Sequence, residues 1–116
     1  MKKREIIETK QRDFLDYNRY GKLIDGLKWL PLSRDERIDY EVFLIRFEAG
    51  SSSNLHRHNG WEEFYVIEGE LNDSDGQLFR AGDYVKFKKG SIHSSYSRKG
   101  CTLLVIISGG KNELID

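Results

Sequence analysis

The chain has 116 residues, of which 19 are Lys or Arg and 19 are Asp or Glu, so its formal net charge is zero. This length fits a single domain with its own hydrophobic core and leaves no room for a second one. The balanced charge gives no electrostatic basis for binding nucleic acid or an anionic membrane, and neither is expected as a partner.

The N-terminal segment and the single cysteine bear on cellular location. The first twelve residues, MKKREIIETKQR, are basic but contain only Ile6 and Ile7 where an export signal needs an apolar run of about 7 to 15 residues. No stretch is apolar enough to predict a membrane span. Cys101 has no partner for an internal disulfide, which fits a reducing compartment and a buried apolar role. We therefore expect a cytoplasmic protein.

Short apolar segments separated by turn residues predict an all-β fold. Branched and aromatic residues are concentrated in runs of strand length, and almost no segment has a helical period. The predicted strands are 27–32, 39–48, 63–67, 77–80, 84–87 and 101–107. Many short strands joined by turns rich in Gly and Ser are typical of a β-sandwich or β-barrel.

The two ends of the chain are harder to interpret than its centre. Residues 1–22 fit either a short amphipathic helix or an extended arm, and we expect an arm that packs on the barrel or on a partner chain. The predicted organisation is an N-terminal arm or short extra element at 1–26, one β-barrel domain at 27–108 and a C-terminal tail at 109–116. Pro31 is the only proline, and it predicts that the first strand lies at a sheet edge because proline has no N–H to donate.

Charge is segregated along the second half of the chain. Residues 62–75 contain six acidic side chains and no basic one, whereas residues 80–99 contain six basic side chains and one acidic. The simpler interpretation is a pair of solvated surfaces. The alternative is a basic rim that steers an anionic ligand toward a pocket.

Two of the three histidines lie one residue apart in the segment HRHNGWEE. In a strand, residues i and i+2 point to the same side about 6.5 to 7 Å apart, so His56 and His58 can direct both imidazoles into one cavity. A turn or bulge at 59–61 then lets Glu62 return a carboxylate to that side. Because a bulge disturbs the alternation, Glu63 remains an alternative.

The third histidine, His93, follows a strand and a Gly-containing turn that could bring the chain back to the same cavity. Three neutral imidazoles and one carboxylate suit a divalent first-row metal with positions left for water or substrate. A structural zinc site would more often use several thiolates. An HxH pair alone is a weak signal, but here every histidine falls at a position that a metal site would need.

These residues match the first conserved motif of the cupin family, which the sequence resembles. That motif, G-x5-HxH-x3or4-E-x6-G, is matched here by Gly50, His56, His58, Glu62 and Gly69. The spacing of six residues before Gly69 selects Glu62 over Glu63.

The second cupin motif, G-x5-P-x-G-x2-H-x3-N, is matched by Gly82, Gly90 and His93. Two positions depart from it, because Lys88 replaces the proline and Ser97 replaces the asparagine. The departures weaken a turn and a late contact of the motif, while all four metal-ligand positions are kept.

The resemblance covers roughly residues 27–108 and implies a double-stranded β-helix, that is, a jelly-roll β-barrel. It also implies one divalent transition metal, Fe2+, Zn2+, Mn2+ or Ni2+, held by His56, His58, Glu62 and His93. Within the family the sequence looks most like the cupin domain of ChrR-type anti-sigma factors and like diketone (acetylacetone-type) dioxygenases. Anti-sigma activity is not implied, since residues 1–26 lack the histidine and paired cysteines of the separate ChrR zinc domain.

Around this site the predicted strands place a small apolar cavity suited to a small organic ligand. Its expected lining is Phe43, Ile45 and Phe47, or the alternate residues of that strand, together with Phe64, Val66, Val85, Phe87 and Val105. Arg46 is either an outward residue or an anchor for a ligand carboxylate. Tyr65 and Tyr96 either donate hydrogen bonds behind the metal ligands or simply pack.

The sequence leaves the activity open between classes of protein. The leading hypothesis is a metal-dependent dioxygenase, an oxidoreductase acting on a small molecule. The alternative is a non-catalytic ligand or redox sensor with bound zinc, and a third is a metal-free isomerase with a histidine base. Because cupins commonly pair through their sheets, and VFLIRF and CTLLVII are apolar on both faces, we also expect a homodimer.

Overall fold

The computed structural model describes residues 3–115, which form an all-β barrel, as the sequence predicts. Met1, Lys2 and Asp116, which belong to the predicted arm and tail, lie outside the described residues. The strands are β1 (Leu15–Asp16), β2 (Leu27–Asp35), β3 (Tyr40–Phe47), β4 (Ser51–Ser52), β5 (His56–His58), β6 (Trp61–Asp73), β7 (Leu78–Arg80), β8 (Tyr84–Phe87), β9 (Ile92–His93), β10 (Ser95–Ser97), β11 (Cys101–Ser108) and β12 (Asn112–Leu114). Two 3-10 turns, Thr9–Gln11 and Glu36–Ile38, are the helical segments of this range. Within it, no helix is long and apolar enough to cross a membrane.

The strands form two antiparallel sheets. The large sheet has the order β1-β2-β3-β11-β6-β10-β4, with β7 and β8 also paired to β6. The small sheet has the order β12-β5-β9 and carries all three histidines. The three predicted histidine ligands therefore come from one short sheet, and Glu62 comes from the large one.

β6 joins the two parts of the large sheet because it bends at Gly69. Its first half pairs with β8 and β11, and its second half pairs with β7 and β10. Gly69 has φ +78°, in the left-handed region, and an added Cβ would overlap the backbone at Gly100 and Cys101. Glycine at this position lets β6 continue where a larger residue would end it.

The core lies between the sheets and is built from the inward side chains of the long central strands. Alternate residues of β3, β6 and β11 are buried, as expected for strands with one face on a core. They are Phe43, Ile45, Phe47, Phe64, Val66, Leu103, Val105 and Ile107. Cys101 is buried with them, as predicted, and burial raises the pKa of its thiol to about 11.

Several predicted strand boundaries need correction. The strand predicted at 63–67 extends from Trp61 to Asp73, and short strands such as β1 and β12 were not predicted. The edge position inferred from Pro31 is wrong for the strand as a whole, because β1 pairs outside β2 at Lys28 and Trp29. Beyond Trp29, β3 is the only strand of the described residues that pairs with β2. Pro31 therefore costs no hydrogen bond on the other side of β2, where no strand is paired.

Both ends of the described chain pack on the barrel. In the N-terminal part, β1 pairs with β2, and Tyr17 joins the core with 6% exposure. In the C-terminal part, β12 pairs with β5, with Asn112 opposite His58. The domain boundaries at 26/27 and 108/109 stay a prediction, but both flanking segments contribute to the interior of the barrel.

Candidate metal centre

The four predicted ligands come together between the two sheets. β5 and β9 are antiparallel neighbours, and His56 lies directly opposite His93 in their register. The alternation of β5 turns His56 and His58 to the interior and Arg57 away from it. Glu62 reaches the same point from β6, on the large sheet, after the turn at Asn59 and Gly60.

The backbone at this turn is unusually close to the C-terminal segment. A Cβ on Gly60 would overlap the backbone from Ser108 to Gly110, and one on Gly110 would overlap Asn59. Only glycines permit this approach. It places the beginning of β12 against β5 and so determines which side chain lies behind Glu62.

One ligand atom from each of His56, His58, Glu62 and His93 lies within 4.8 Å of the other three. The Nε2 atoms of His56 and His58 are 3.1 Å apart, and His58 Nε2 is 3.5 Å from Glu62 Oε2. His58 is fully buried, and the other three residues are at most 7% exposed. The sequence prediction of these four residues as one cluster is therefore matched by their positions.

Each imidazole makes a hydrogen bond on its outer side through Nδ1. His56 Nδ1 donates to the carbonyl oxygen of Asn54 at 2.9 Å, and His93 Nδ1 donates to Asp73 Oδ1 at 2.7 Å. His58 Nδ1 is 2.7 Å from the hydroxyl oxygen of Ser91, which itself donates to the carbonyl oxygen of Lys88 at 2.8 Å. The Ser91 proton is thus committed, and its oxygen accepts from His58.

This pattern assigns the tautomer of all three rings. With Nδ1 protonated, each Nε2 carries a lone pair directed toward the centre of the cluster. Nitrogen acceptors 3.1 Å apart, with a carboxylate oxygen at 3.5 Å, repel one another unless a cation or a proton lies among them. In addition, His93 Nε2 is buried and makes no hydrogen bond with the described residues. The donor set and its unpaired nitrogen fit a divalent transition metal.

Glu62, rather than Glu63, is the carboxylate of the cluster, as the motif spacing predicts. Glu62 Oε1 accepts a hydrogen bond from Asn112 Nδ2 at 2.9 Å, which leaves Oε2 facing His58. Glu63 lies on the opposite face of β6, where it accepts a hydrogen bond from Tyr84.

The electrostatics of the site favour neutral imidazole and ionised carboxylate. Burial lowers the pKa of the His56 imidazole to about 4, because desolvation disfavours its charged form. Burial acts to raise the pKa of the Glu62 carboxyl, but the positive charge that a second ring proton on His58 or His56 would place beside it, with the hydrogen bond from Asn112, outweighs burial and lowers that pKa to about 2. Near neutral pH these are the protonation states in which both groups bind metals.

A cavity of about 50 Å³ opens beside the cluster, with His56, Glu62 and His93 in its wall. Its apolar lining includes the predicted Phe43, Ile45, Phe47, Phe64 and Val105. Val66, Val85 and Phe87 do not line it and pack in or against the core instead, which corrects that part of the prediction. Within residues 3–115, no Lys or Arg lines this cavity.

The other side chains predicted near the site lie away from the four ligands. Arg46 points outward and its guanidinium lies 4.0 Å from the centre of the Phe14 ring, so it does not anchor a ligand in the cavity. Tyr65 and Tyr96 are 45% and 41% exposed, and neither hydroxyl makes a hydrogen bond to a cluster residue within the described part of the chain. The hydrogen bonds behind the ligands come instead from Asn54, Asp73, Ser91 and Asn112.

Sequence reasoning missed two groups of residues at the site. Tyr17, Tyr20 and Ile24 line the cavity from the N-terminal segment, where Arg19 forms a largely buried ion pair with Glu41 at 2.8 Å. The aromatic residues clustered in that segment were a signal that the predicted arm enters the core and does not only pack on the outside of the barrel. Asn112 enters from the C-terminal segment, and KNELID contains no pattern that predicts it.

A β-barrel of this topology with three imidazoles and one carboxylate gathered inside it is a cupin. The model of the ChrR cupin-like domain family matches residues 2–108, and the chain belongs to that family. Comparison with curated protein sequences gave no match.

Solved structures agree on the fold. An acetylacetone dioxygenase from Acinetobacter johnsonii superposes with a TM-score of 0.86 at 18% identity, covering 100% of this chain and 80% of that one. A protein of unknown function with a cupin-like fold from Ralstonia eutropha JMP134 gives a TM-score of 0.83 at 26% identity, covering 99% and 74%. The anti-sigma factor ChrR of Rhodobacter sphaeroides, solved in complex with SigE, gives 0.63 at 21% identity, covering 72% and 44%.

Proposed function

We propose that this cupin binds one divalent transition metal through His56, His58, Glu62 and His93 and uses the adjacent cavity to bind a small organic molecule. The observation that carries the proposal is the geometry of the four ligand atoms, which lie within 4.8 Å of one another. Each imidazole is oriented by an outer acceptor, an arrangement that raises ligand basicity and fixes the ring. The metal is one of Fe2+, Zn2+, Mn2+ or Ni2+.

The activity that we propose is that of an Fe2+-dependent dioxygenase. The bound metal would act as a Lewis acid and as the site where an oxygen-containing ligand and O2 meet. The protein supplies three neutral rings and one carboxylate, so the centre keeps one positive charge when a dication is present. That charge suits a ligand with a single anionic oxygen, because a second negative charge would find no cationic side chain among the described residues that line the cavity.

The side chains around the cavity orient the ligand and limit access of water. Phe43, Ile45 and Phe47 of β3 form one continuous apolar wall with Val105 and Phe64, which lie beside them on β11 and β6. With a volume of about 50 Å³, the cavity has room for a compact ligand only. The fold of the Acinetobacter acetylacetone dioxygenase supports a compact diketone or phenolic compound as the first substrate class to examine.

Oxygen consumption tests this activity directly. Protein loaded with Fe2+ under anaerobic conditions is mixed with acetylacetone or a phenolic substrate in an oxygen electrode, with the Glu62→Gln variant as control. We expect stoichiometric O2 uptake with substrate in the wild type and its loss in the variant. If none of Fe2+, Zn2+, Mn2+ and Ni2+ supports turnover, the proposed enzymatic activity is refuted.

The alternative function is a non-catalytic ligand or redox sensor that retains zinc. The ChrR cupin-like family match supports it, because the family takes its description from an anti-sigma factor. A sensor predicts zinc at one equivalent in natively purified protein and affinity for a regulatory protein that does not depend on a substrate. Elemental analysis of the purified protein separates the two, since the dioxygenase predicts iron.

We also propose that the protein is a homodimer that pairs through the outer face of the large sheet. Tyr65, Ile67 and Tyr84 are 45%, 47% and 59% exposed on that face, next to Leu44 and Leu104. A contiguous row of apolar side chains on a sheet is typical of an interaction surface.

A further inference from the structure

Asn112 has an unexplained role at the centre of the site. It begins β12, opposite His58, and lies beyond the residues matched by the family model. Its Nδ2 donates to Glu62 Oε1 at 2.9 Å. Its Oδ1 is buried and, among the described residues, has no hydrogen-bond partner.

Two buried side-chain atoms of the described chain lack a hydrogen-bond partner, and both belong to this site. One is His93 Nε2, which a metal would satisfy. The other is Asn112 Oδ1. A metal held by the four ligands would not give this oxygen a hydrogen-bond donor. A buried acceptor without a partner is costly, so this oxygen calls for a donor that the described residues do not provide.

The orientation of the carboxamide is fixed by its neighbour. Turning Asn112 by 180° would exchange its nitrogen and oxygen and set Oδ1 against the Glu62 carboxylate, two acceptors at hydrogen-bond distance. Nδ2 therefore faces Glu62, and Oδ1 stays an acceptor. Asn112 lines the same cavity as His56, Glu62 and His93.

We propose that Asn112 positions Glu62 and recognises the ligand, an inference that rests on the metal site proposed above. Its N–H group engages Glu62 Oε1, so that Glu62 binds the metal through Oε2 alone. Its Oδ1 accepts a hydrogen bond from an N–H or O–H group of the ligand. The preferred ligand is thus a compact, largely apolar molecule that carries a donor next to its metal-binding oxygen, which a phenolic compound with a second hydroxyl group has and the enolate of a diketone lacks.

The ligand role is tested with two hydroxamates that differ by one hydrogen-bond donor. Acetohydroxamate and N-methylacetohydroxamate chelate a metal through the same two oxygens, but only the first carries N–H. In calorimetric titrations of Zn2+-loaded wild type we expect acetohydroxamate to bind about 5- to 100-fold more tightly. In Asn112→Leu, which has a similar shape and no hydrogen-bonding group, this preference should disappear.

The positioning role is tested by spectroscopy. The visible spectrum of the Co2+-loaded protein reports the number and geometry of its ligands, and Zn2+ affinity is measured by competition with a chromophoric chelator. For Asn112→Leu we expect an altered Co2+ spectrum and about 10- to 100-fold weaker Zn2+ binding. Glu113→Gln is the matched control on the same strand, because Glu113 pairs with Arg57 at 2.9 Å on the outer side. Its spectrum should be that of the wild type.

The outcomes separate this inference from the proposal beneath it. A wild-type protein that binds none of these metals refutes the metal site and the role of Asn112 together. Wild-type metal binding with an unchanged spectrum and affinity in Asn112→Leu refutes the positioning role alone. A preference between hydroxamates that survives in Asn112→Leu is steric and refutes the ligand role. If the leucine variant does not fold, judged by circular dichroism, Asn112→Ser replaces it in the same measurements.

Discussion

The direction of each imidazole is determined by a single acceptor outside the cluster. For His56 this acceptor is a backbone carbonyl, for His93 it is the Asp73 carboxylate, and for His58 it is the Ser91 hydroxyl. The hydroxyl is the most informative of the three, because it can be removed without changing the charge or the backbone. Ser91 also joins His58 to the carbonyl of Lys88, the residue that replaces the proline of the second cupin motif.

Replacing Ser91 with alanine should therefore weaken metal binding without removing a ligand. His58 Nδ1 would lose its acceptor in a site that is fully buried, and its ring would no longer be held in one orientation. We expect Zn2+ affinity to fall about 10- to 100-fold. The free energy of unfolding of the apoprotein should fall by about 1–3 kcal/mol. Competition titration and urea denaturation measure the two effects.

Ser94→Ala is the control for this variant. Ser94 is three residues further along, and its hydroxyl makes no hydrogen bond as donor or acceptor among the described residues. The Zn2+ affinity and the free energy of unfolding of Ser94→Ala should stay near those of the wild type. Equal affinities for Ser91→Ala and wild type would show that the His58 ring is held by packing against Phe87 and not by Ser91.

At the scale of residues, the sequence predicts the site positions of residue types that commonly bind metals. It does not predict the site positions of residue types, such as Asn and Tyr, that occur throughout proteins in many roles. All three histidines and the carboxylate were predictable, because metal-ligating types at fixed spacing stand out in a chain of 116 residues. Asn112 was not, since its role depends on β12 pairing beside β5. Tyr17 was missed for the same reason, because its burial depends on a contact between distant segments.

At the scale of strands, two glycines allow a matched comparison. Gly69 lies at the bend of β6, and Gly76 lies in the turn that joins β6 to β7. Gly69 and Gly76 both have positive φ, at +78° and +93°. A Cβ on Gly69 would overlap the backbone of Gly100 and Cys101, whereas a Cβ on Gly76 would meet no atom within 4 Å. The two alanine variants therefore share the backbone strain and differ only in the overlap.

We expect Gly76→Ala to cost about 1–2 kcal/mol of unfolding free energy, the strain of an L residue in the left-handed region. Gly69→Ala should cost at least about 2 kcal/mol more, because β11 must move away from β6. Urea denaturation at neutral pH measures both values. Equal losses would mean that the register of these strands adapts without cost.

The strands that sequence predicted best are those with a full apolar face. The strand at 84–87 was predicted to the residue, and those at 39–48 and 101–107 to within one residue at each end. The length of β6 was underestimated because glycine weakens a strand and was expected to end this one. In the structure β6 continues through Gly69. Two-residue strands such as β4 have no period to detect, and only their partners make them strands.

At the scale of the whole molecule, the cavity is closed by segments outside the predicted barrel. Tyr17 packs edge to face on Trp29, with ring centres 5.2 Å apart, and burial raises the pKa of its hydroxyl. The barrel at 27–108 therefore depends on residues before it for part of its core. If the residues before 27 are needed for stability, the domain begins before residue 27. A single substitution at Tyr17 tests this.

Tyr17→Ala should lower the free energy of unfolding by about 3 kcal/mol or more, as expected for a buried aromatic ring. Leu15→Ala, two residues earlier and 56% exposed, should change it by less than about 0.5 kcal/mol. Thermal and urea unfolding of the two variants make the comparison. If Tyr17→Ala were as stable as Leu15→Ala, the N-terminal segment would be a detachable arm and residues 27–108 would be the complete domain.

The proposed homodimer is tested with two isoleucines of nearly equal exposure on opposite sides of the barrel. Ile67 is 47% exposed on the outer face of the large sheet, and Ile92 is 49% exposed on the small sheet. A lysine at the centre of an apolar interface must be desolvated, so Ile67→Lys should convert the dimer to a monomer. Ile92→Lys adds the same charge away from that face and should leave the dimer intact. Sedimentation velocity of the wild type and both variants distinguishes these species, and a wild-type monomer, or a dimer that only Ile92→Lys dissociates, would contradict pairing through the large sheet.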